Sequence, residues 1–293
     1  MRFVGDRDYL ARLYHAQFGR WPDLDHPRSF NEKILFKILN DRRSYLTLFS
    51  DKLRVRDYVR RTAPMLFLPR LYWWSDRAEA LPYEVLPNEF VLKANHGSGW
   101  NCLVQEKATV RRQDLVRLGR TWLKSDFTLV GREWAYRNIR RALYAEQLLH
   151  EARCSAPADY KLFVFAGKVR IIQVDRDRFT RHTQLLYDEH WNRIDGTVAA
   201  APGDPIGRPV SLSAMIEAAA LLSAGVDFVR VDLYEIDGNA YFGELTSSPN
   251  KGLSPFHPPS LDLALGNYLE LDDHSKPIPL QYQPDAGPSL DVA

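Results

Sequence analysis

The stretch Phe228-Val-Arg-Val-Asp-Leu-Tyr-Glu-Ile-Asp-Gly-Asn-Ala-Tyr-Phe-Gly-Glu-Leu-Thr246 decides the fold. It reads as two strand-like runs joined by the turn-forming residues Asp237, Gly238 and Asn239. Alternate residues of a strand share a face, so Phe228, Arg230, Asp232 and Tyr234 point one way on the first run. Ala240, Phe242, Glu244 and Thr246 do so on the second. A three-residue loop would pair Asp232 with Glu244 and Arg230 with Thr246, whereas a two-residue loop would put the carboxylates on opposite faces. Directly opposed side chains have Cβ atoms about 4.5–5.5 Å apart. At that separation two carboxylates can share one Mg²⁺, which takes one or two carboxylates and completes its shell with water and phosphate oxygens. The same residues also suit a surface hairpin in which Arg230 neutralises both acids.

Upstream, Phe90-Val-Leu-Lys-Ala-Asn-His-Gly-Ser-Gly-Trp-Asn101 delivers Lys93 on an apolar strand and follows it with a small loop, His96 to Gly99. Glycines let backbone N–H groups approach phosphate oxygens, and a lysine adds a point charge for them. The order differs from a Walker A loop, in which the lysine follows the glycines, and a plain surface loop has the same composition. Asp159-Tyr-Lys-Leu-Phe-Val-Phe-Ala-Gly-Lys-Val-Arg-Ile-Ile-Gln-Val-Asp-Arg176 forms two further strand runs around a turn at Ala166, Gly167 and Lys168. Asp159 and Lys161 share a face there and suit either ribose and phosphate contacts or an ordinary ion pair.

Around these strands, residues 1 to about 62 read as helices broken at Pro22, Asp25, Pro27 and Ser29. Residues 64 to 93 read as strands and turns, with Leu66, Phe67 and Leu68 between Pro64 and Pro69, and 110 to 150 as helical. Ser211 to Ser223 predicts a helix closed by Gly225, and the Pro-rich tail beyond 277 reads as poorly ordered. The expected divisions are a helical region 1–62, lobes 63–170 and 171–276, and a tail 277–293. At 293 residues the chain can bury sizeable cores. Its formal charge of +2 argues against a dedicated nucleic-acid binder, although the basic runs Arg54 to Arg61 and Arg132 to Arg141 suit either a solvated helix face or an anionic substrate. Charges at the amino end leave no room for a signal peptide's apolar core, no apolar run reaches membrane-spanning length, and Cys102 and Cys154 are the only cysteines. A reducing cytoplasm is the expected compartment.

Taken in order, Asp51-Lys52, Lys93 with its glycine loop, Glu146-Gln-Leu148, Asp159-Tyr-Lys161, Arg230-Val-Asp232 and Glu244 resemble an ATP-grasp domain. Ser29-Phe-Asn-Glu-Lys33, Leu86 to Lys93, His96 to Gly99, Glu133-Trp-Ala-Tyr136 and Tyr241 to Thr246 are similar to its TupA-like branch, linked to teichuronopeptide and other surface-polysaccharide synthesis. The resemblance implies an α+β ATP-grasp fold, two lobes clasping ATP behind a short helical N-terminal region. It implies that Lys52 and Lys93 hold nucleotide phosphates beneath a lid formed by His96, Gly97, Ser98 and Gly99. Glu146, Gln147 and Leu148 would then meet adenine, Asp159 the ribose, and Lys161 would add a cation. Asp232 and Glu244 would ligate Mg²⁺, while Arg230, with Lys93, would face the acyl phosphate and the tetrahedral intermediate.

Two departures accompany the resemblance. Thr246 stands where many such ligases carry a metal-binding Asn, with Asn250 displaced by four residues, and the region before Asp51 is short and helical. The activity implied is ATP-dependent joining of a carboxylate to an amine, with a sugar acid or polysaccharide precursor as carboxylate and an amino acid or amine as nucleophile. Association with polysaccharide-synthesis machinery follows from the same resemblance. A phosphotransferase, a glycosyltransferase and a nucleotide-binding scaffold without turnover are the rivals.

Overall fold

The N-terminal segment forms α1 (Asp6–Phe18), α2 (Phe30–Asn40), α3 (Tyr45–Ser50) and α4 (Arg54–Thr62) in a computed structural model that describes residues 4–150, 157–177 and 181–271. The expected break at Ser29 is a capping box. Ser29 Oγ accepts from the Glu32 amide at 3.3 Å, and the Glu32 carboxylate accepts from the Ser29 amide at 3.2 Å. The tail expected from residue 277 lies outside the described residues.

A four-stranded antiparallel sheet follows, from β1 (Leu71–Ser75), β2 (Phe90–Ala94), β3 (Asn101–Val104) and β4 (Leu143–Glu146) in the order β1-β4-β2-β3. Between β3 and β4 run α5 (Arg112–Lys124) and α6 (Phe127–Gly131). Leu115 and Trp122 of α5 pack on Phe90, Leu92 and Val104. The expected helix over 110–150 therefore ends early and gives way to β4. All four residues of β4 are buried, because it is a central strand between β1 and β2, so its sequence lacks the alternation that marks a half-buried strand. Leu66 to Leu68 do not form the expected strand either. Only Phe67 bridges, its amide donating to Ala240 O at 2.9 Å and its carbonyl accepting from Phe242 N at 2.8 Å, between prolines that cannot donate to a ladder.

The larger sheet takes β5 (Asp159–Phe165), β6 (Lys168–Arg176), β7 (Thr183–Tyr187), the short β8 (Arg193–Ile194) and β10 (Ala201–Pro202), while β9 (Thr197–Val198) lies outside it. Helix α7 (Leu212–Leu222) leads into β11 (Phe228–Ile236) and β12 (Asn239–Thr246), and the described chain ends with β13 (Phe256–His257) and α8 (Pro259–Tyr268). The order is β10-β7-β6-β5-β11-β12, with β8 on β7, while β13 pairs β9. A division at residue 170 would cut the β5–β6 hairpin. Sheet membership changes instead between Glu146 and Asp159. One face of the larger sheet, with Leu162, Val164, Val229, Val231 and Leu233, packs on α7, α3 and α4. On the other, Phe30 of α2 meets Phe163, Phe165, Phe228 and Phe256 edge-on at centroid distances of 4.9–6.0 Å. The polar ends of the same strands stay uncovered there.

The β11–β12 hairpin corrects one expectation. Asp232 lies opposite Glu244 and Arg230 opposite Thr246, as a three-residue loop would give, but Ile236 pairs with Asn239, so the loop is the two residues Asp237 and Gly238. Both have positive φ, 50° and 76°, the type I′ geometry that Asp-Gly favours. The register is recovered by a bulge, since Leu233 pairs with Phe242 and Gly243 is left over. A Cβ at Gly243 would lie 2.9 Å from the Asp232 carbonyl and 3.1 Å from the Tyr234 ring, so only glycine passes there unhindered.

A buried charge cluster ties α2 to the start of β11. Lys37 Nζ lies 2.9 Å from Asp41 and 2.5 Å from Asp227, and Arg43 Nη2 lies 2.5 and 2.8 Å from the same carboxylates. Burial alone would raise the Asp41 carboxyl, but Arg43 and Lys37 override it and hold it at about 2. Removing one member of such a buried network costs about 3–5 kcal/mol, so Asp227→Ala is expected to lose that much in denaturant unfolding. A carboxylate depressed in the fold stabilises above its unfolded value and loses that contribution as it is protonated. Stability should therefore fall as pH drops from about 4 toward about 2, and this acid dependence should be weaker in Asp227→Ala.

Candidate active site

The two sheets face each other across a cleft of about 460 Å³. Its polar wall is formed by one face of β11, β12 and β5. Arg230 grips Asp232 with two charge-assisted hydrogen bonds, Nε to Oδ1 and Nη2 to Oδ2, each 2.6 Å. The same Nη2 lies 3.3 Å from Thr246 Oγ1 and 3.6 Å from Glu244 Oε1. Lys161, opposite Asp232 on β5, contacts Asp159 directly and lies 3.3 Å from Asp175 and 3.6 Å from Asp232. Lys52 approaches Glu244 Oε2 at 3.6 Å from the far side.

These contacts set the charge states. Burial pushes the Asp232 carboxyl up, against the opposing pull of Arg230 and Lys161. For Glu244, burial is outweighed by Lys52, Arg230 and Lys161, which hold the carboxyl below its usual range. Burial would strip the proton from Lys161, but Asp159 and Asp232 keep it. Glu244 presents a 39% exposed side chain to the cleft, while that of Asp232 is 4% exposed and committed to Arg230. The donor set fits one Mg²⁺, a hard cation satisfied by two carboxylates and otherwise by water or phosphate oxygens. Glu244 is open to it, and Asp232 can share its second lone pairs. Among the described residues no group of three or more His, Cys, Asp or Glu gathers as a metal cage. Thr246 Oγ1 donates to Glu244 at 3.1 Å, and Asn250 is exposed on the loop beyond.

The opposite wall carries Lys93, whose Nζ meets Glu146 Oε1 at 2.5 Å, while Glu146 Oε2 accepts from Arg56 Nη1 at 3.1 Å. Glu146 thus orients two cations at the cleft. Gln147 crosses to the chain before β1, its amide donating to Arg70 O at 2.8 Å. Leu148, with Pro69, Val91, Leu103 and Phe242, makes the apolar end of the cleft. The loop after β2 divides. Ser98 and Gly99 line the cleft, but His96 is turned away, 3% exposed, with Nε2 donating to Trp122 O at 3.1 Å. Gly97 lies under Trp100, where a Cβ would come within 2.4 Å of the indole. His96 and Gly97 therefore anchor the loop and do not line the cleft, because the histidine's polar atoms find protein partners beside α5.

Lys52, Lys93, Glu146, Gln147, Leu148, Asp159, Lys161, Arg230, Asp232 and Glu244 are all brought to this cleft. Two residues of the site fall outside the sequence expectation. Arg56, 4% exposed, belongs to the basic run Arg54 to Arg61, which suits a solvated helix face or an anionic substrate, and its place between buried Val55 and Val59 on the apolar side of α4 marks it as internal. Asp175, near the end of the second strand run, is brought to Lys161 by its register opposite Asp159.

The profile of the TupA-like ATPgrasp family matches residues 32–270. Among solved structures, D-alanine–D-alanine ligase from Bacillus anthracis complexed with ATP is similar at 15% identity and a TM-score of 0.42, covering 68% of this chain and 54% of that one. The ATP-grasp ligase PsnB, complexed with a phosphomimetic variant of its minimal precursor, Mg and ADP, is similar at 15% identity and TM-score 0.43, with 77% and 60% covered. For the L-amino acid ligase from Bacillus licheniformis the values are 14%, 0.47, 70% and 44%. The chain thus spans less than two thirds of the length of each. Among curated proteins nothing matches it. The matched family region runs from the capping-box glutamate of α2 to just beyond α8 and contains every residue of both cleft walls, and the chain belongs to the TupA-like ATP-grasp family.

Proposed function

We propose that the protein is an ADP-forming ligase that joins a carboxylate to an amine through an acyl phosphate. The observation that carries this reading is the single face on which Arg230, Asp232, Lys161 and Glu244 meet at the wall of a nucleotide-sized cleft. A carboxylate at neutral pH is a poor electrophile. Attack of its oxygen on the γ-phosphorus expels ADP, and attack of the amine nitrogen on the acyl carbon then breaks the bond to phosphate and releases a proton to solvent.

The chain's own groups fit these steps. Lys52 and Lys93 would hold phosphate oxygens, with the backbone of Ser98 and Gly99 closing over them. Asp159 would take the ribose, and Gln147 and Leu148 the base, against the apolar end of the cleft. Asp232 and Glu244 would hold Mg²⁺, which supplies charge neutralisation on the transferring phosphoryl group. Arg230, fixed by Asp232 and adjoining Thr246, is placed to donate to the oxyanion formed on amine attack. A sugar acid or polysaccharide precursor is the proposed carboxylate and an amino acid or amine the nucleophile, at a cytoplasmic site beside polysaccharide synthesis. No helix among the described residues is long and apolar enough to cross a membrane.

Arg230→Ala is expected to lower kcat by about 10²–10³ with a smaller effect on ATP affinity, read by steady-state kinetics and calorimetry. With hydroxylamine as the amine, the wild-type chain should release ADP and phosphate and yield a hydroxamate. A stable phosphate ester with no hydroxamate would favour a phosphotransferase instead.

The two carboxylates should respond differently to neutralisation. Glu244→Gln and Asp232→Asn are both expected to abolish Mg²⁺-dependent turnover. Asp232→Asn also leaves Arg230 and Lys161 short of a buried counter-charge and should cost about 3 kcal/mol in denaturant unfolding. Glu244→Gln, facing the open cleft, should change stability by less than about 0.5 kcal/mol.

A further inference from the structure

On the far side of Arg230 lies a second cavity, of about 150 Å³, and Arg230 lines both spaces. Its walls divide by chemistry. Phe30, Phe163 and Phe256, with Val198, give an apolar floor, while Gln173, Gln184, Asn250 and Ser254 supply amide and hydroxyl groups. Among the described residues no lysine and no carboxylate lines it. The two glutamines are each 5% exposed and are held in place. Gln173 Nε2 donates to both oxygens of Asp175 at 3.1 and 3.2 Å, which leaves its Oε1 as an acceptor for a ligand. Gln184 Oε1 accepts from the Ala200 amide at 3.2 Å. Asp175 itself is committed to Lys161 at 3.3 Å and to His182 and Gln173.

The fourth side is the turn Pro249–Gly252. Asn250 and Lys251 both adopt positive φ, 43° and 56°, which non-glycine residues rarely do. The turn is held by Lys251 N to Ser248 O and Leu253 N to Asn250 O, each 3.0 Å, and by the close packing of Gly252 on the Asn31 carbonyl. Backbone strain of this kind persists where the surroundings over-determine it and gathers at ligand clamps.

Resting on the ligase reading above, we propose that this cavity seats the carboxylate substrate, its carboxylate at Arg230 and its body over the phenylalanine floor. The lining selects a compact body bearing hydroxyl or amide groups and no positive charge. An α-amino acid would bring an ammonium group to a wall without a counter-charge. A purely aliphatic acid would displace water from Gln173 Oε1 and Ser254 and offer nothing in return.

The test uses the full chain with ATP, Mg²⁺ and hydroxylamine, and reads ADP release against the concentration of D-glucuronate, cyclohexanecarboxylate or L-alanine. Cyclohexanecarboxylate keeps the ring without its hydroxyls, and L-alanine is the zwitterion. D-glucuronate is expected to half-saturate at a concentration about tenfold or more below the other two. Gln173→Met removes the free acceptor, and Ser254→Trp narrows the cavity. Each should raise that concentration about tenfold or more while leaving ATP affinity, measured by calorimetry, within about twofold. Equal or better use of either other acid, saturation by none of the three, or unchanged half-saturation in both variants would overturn the cavity assignment alone, provided ATP binds. A wild-type chain that binds no ATP would overturn the ligase reading with it.

Discussion

Burying a carboxylate costs several kcal/mol unless a cation and hydrogen bonds compensate, and three of them, Asp159, Asp175 and Asp232, lie within 2–3% exposure on adjacent strands of one sheet. Lys161 reaches all three, and Arg230 takes both oxygens of Asp232. The cations are thereby fixed before any ligand arrives, and little reorganisation is left for the reacting groups. The same constraint acts at the other end of β11, where Asp227 is compensated by Lys37 and Arg43 from the N-terminal helices. One strand is thus tied by charge to the helical segment at its start and to the cleft in its middle.

Geometry enforces what charge requires. A type I′ loop alone would turn Glu244 away from Asp232, and the bulge at Gly243 turns it back. Phe30 extends the coupling to the second cavity, since it packs under Phe163 and Phe228 of the same sheet and also forms part of that cavity's floor. Helix α2 therefore shapes the space beyond Arg230.

Strand alternation was enough to place Arg230 with Asp232 and Glu244 with Thr246, because side-chain period is a local property, but the bulge puts Ala240 and Phe242, expected on the Glu244 face, on the opposite one. The loop length was not legible, because Asp-Gly-Asn supports either a two- or a three-residue turn and the bulge at Gly243 cancels the difference. Strand β4 was missed since burial on both faces erases its alternation. His96 looked like part of a phosphate loop because composition reports flexibility and not direction. Its side chain turns inward to the Trp122 carbonyl, which lies 26 residues away in sequence. Arg56 meets Glu146 at the cleft and Asp175 supports Lys161 behind it, both through contacts at separations no local pattern encodes. The second cavity was equally invisible, as its walls come from α2, β5, β6, β7 and the turn after β12.

In the proposed reaction a carboxylate oxygen attacks the γ-phosphorus at Arg230 and later leaves with phosphate. Supplying a carboxylate labelled with ¹⁸O in both oxygens, D-glucuronate first, and following the released phosphate by ³¹P NMR tests it directly. One ¹⁸O per phosphate formed, in step with ADP, is expected. ADP release accompanied by unlabelled phosphate would contradict it, because the carboxylate would then never have carried the phosphoryl group.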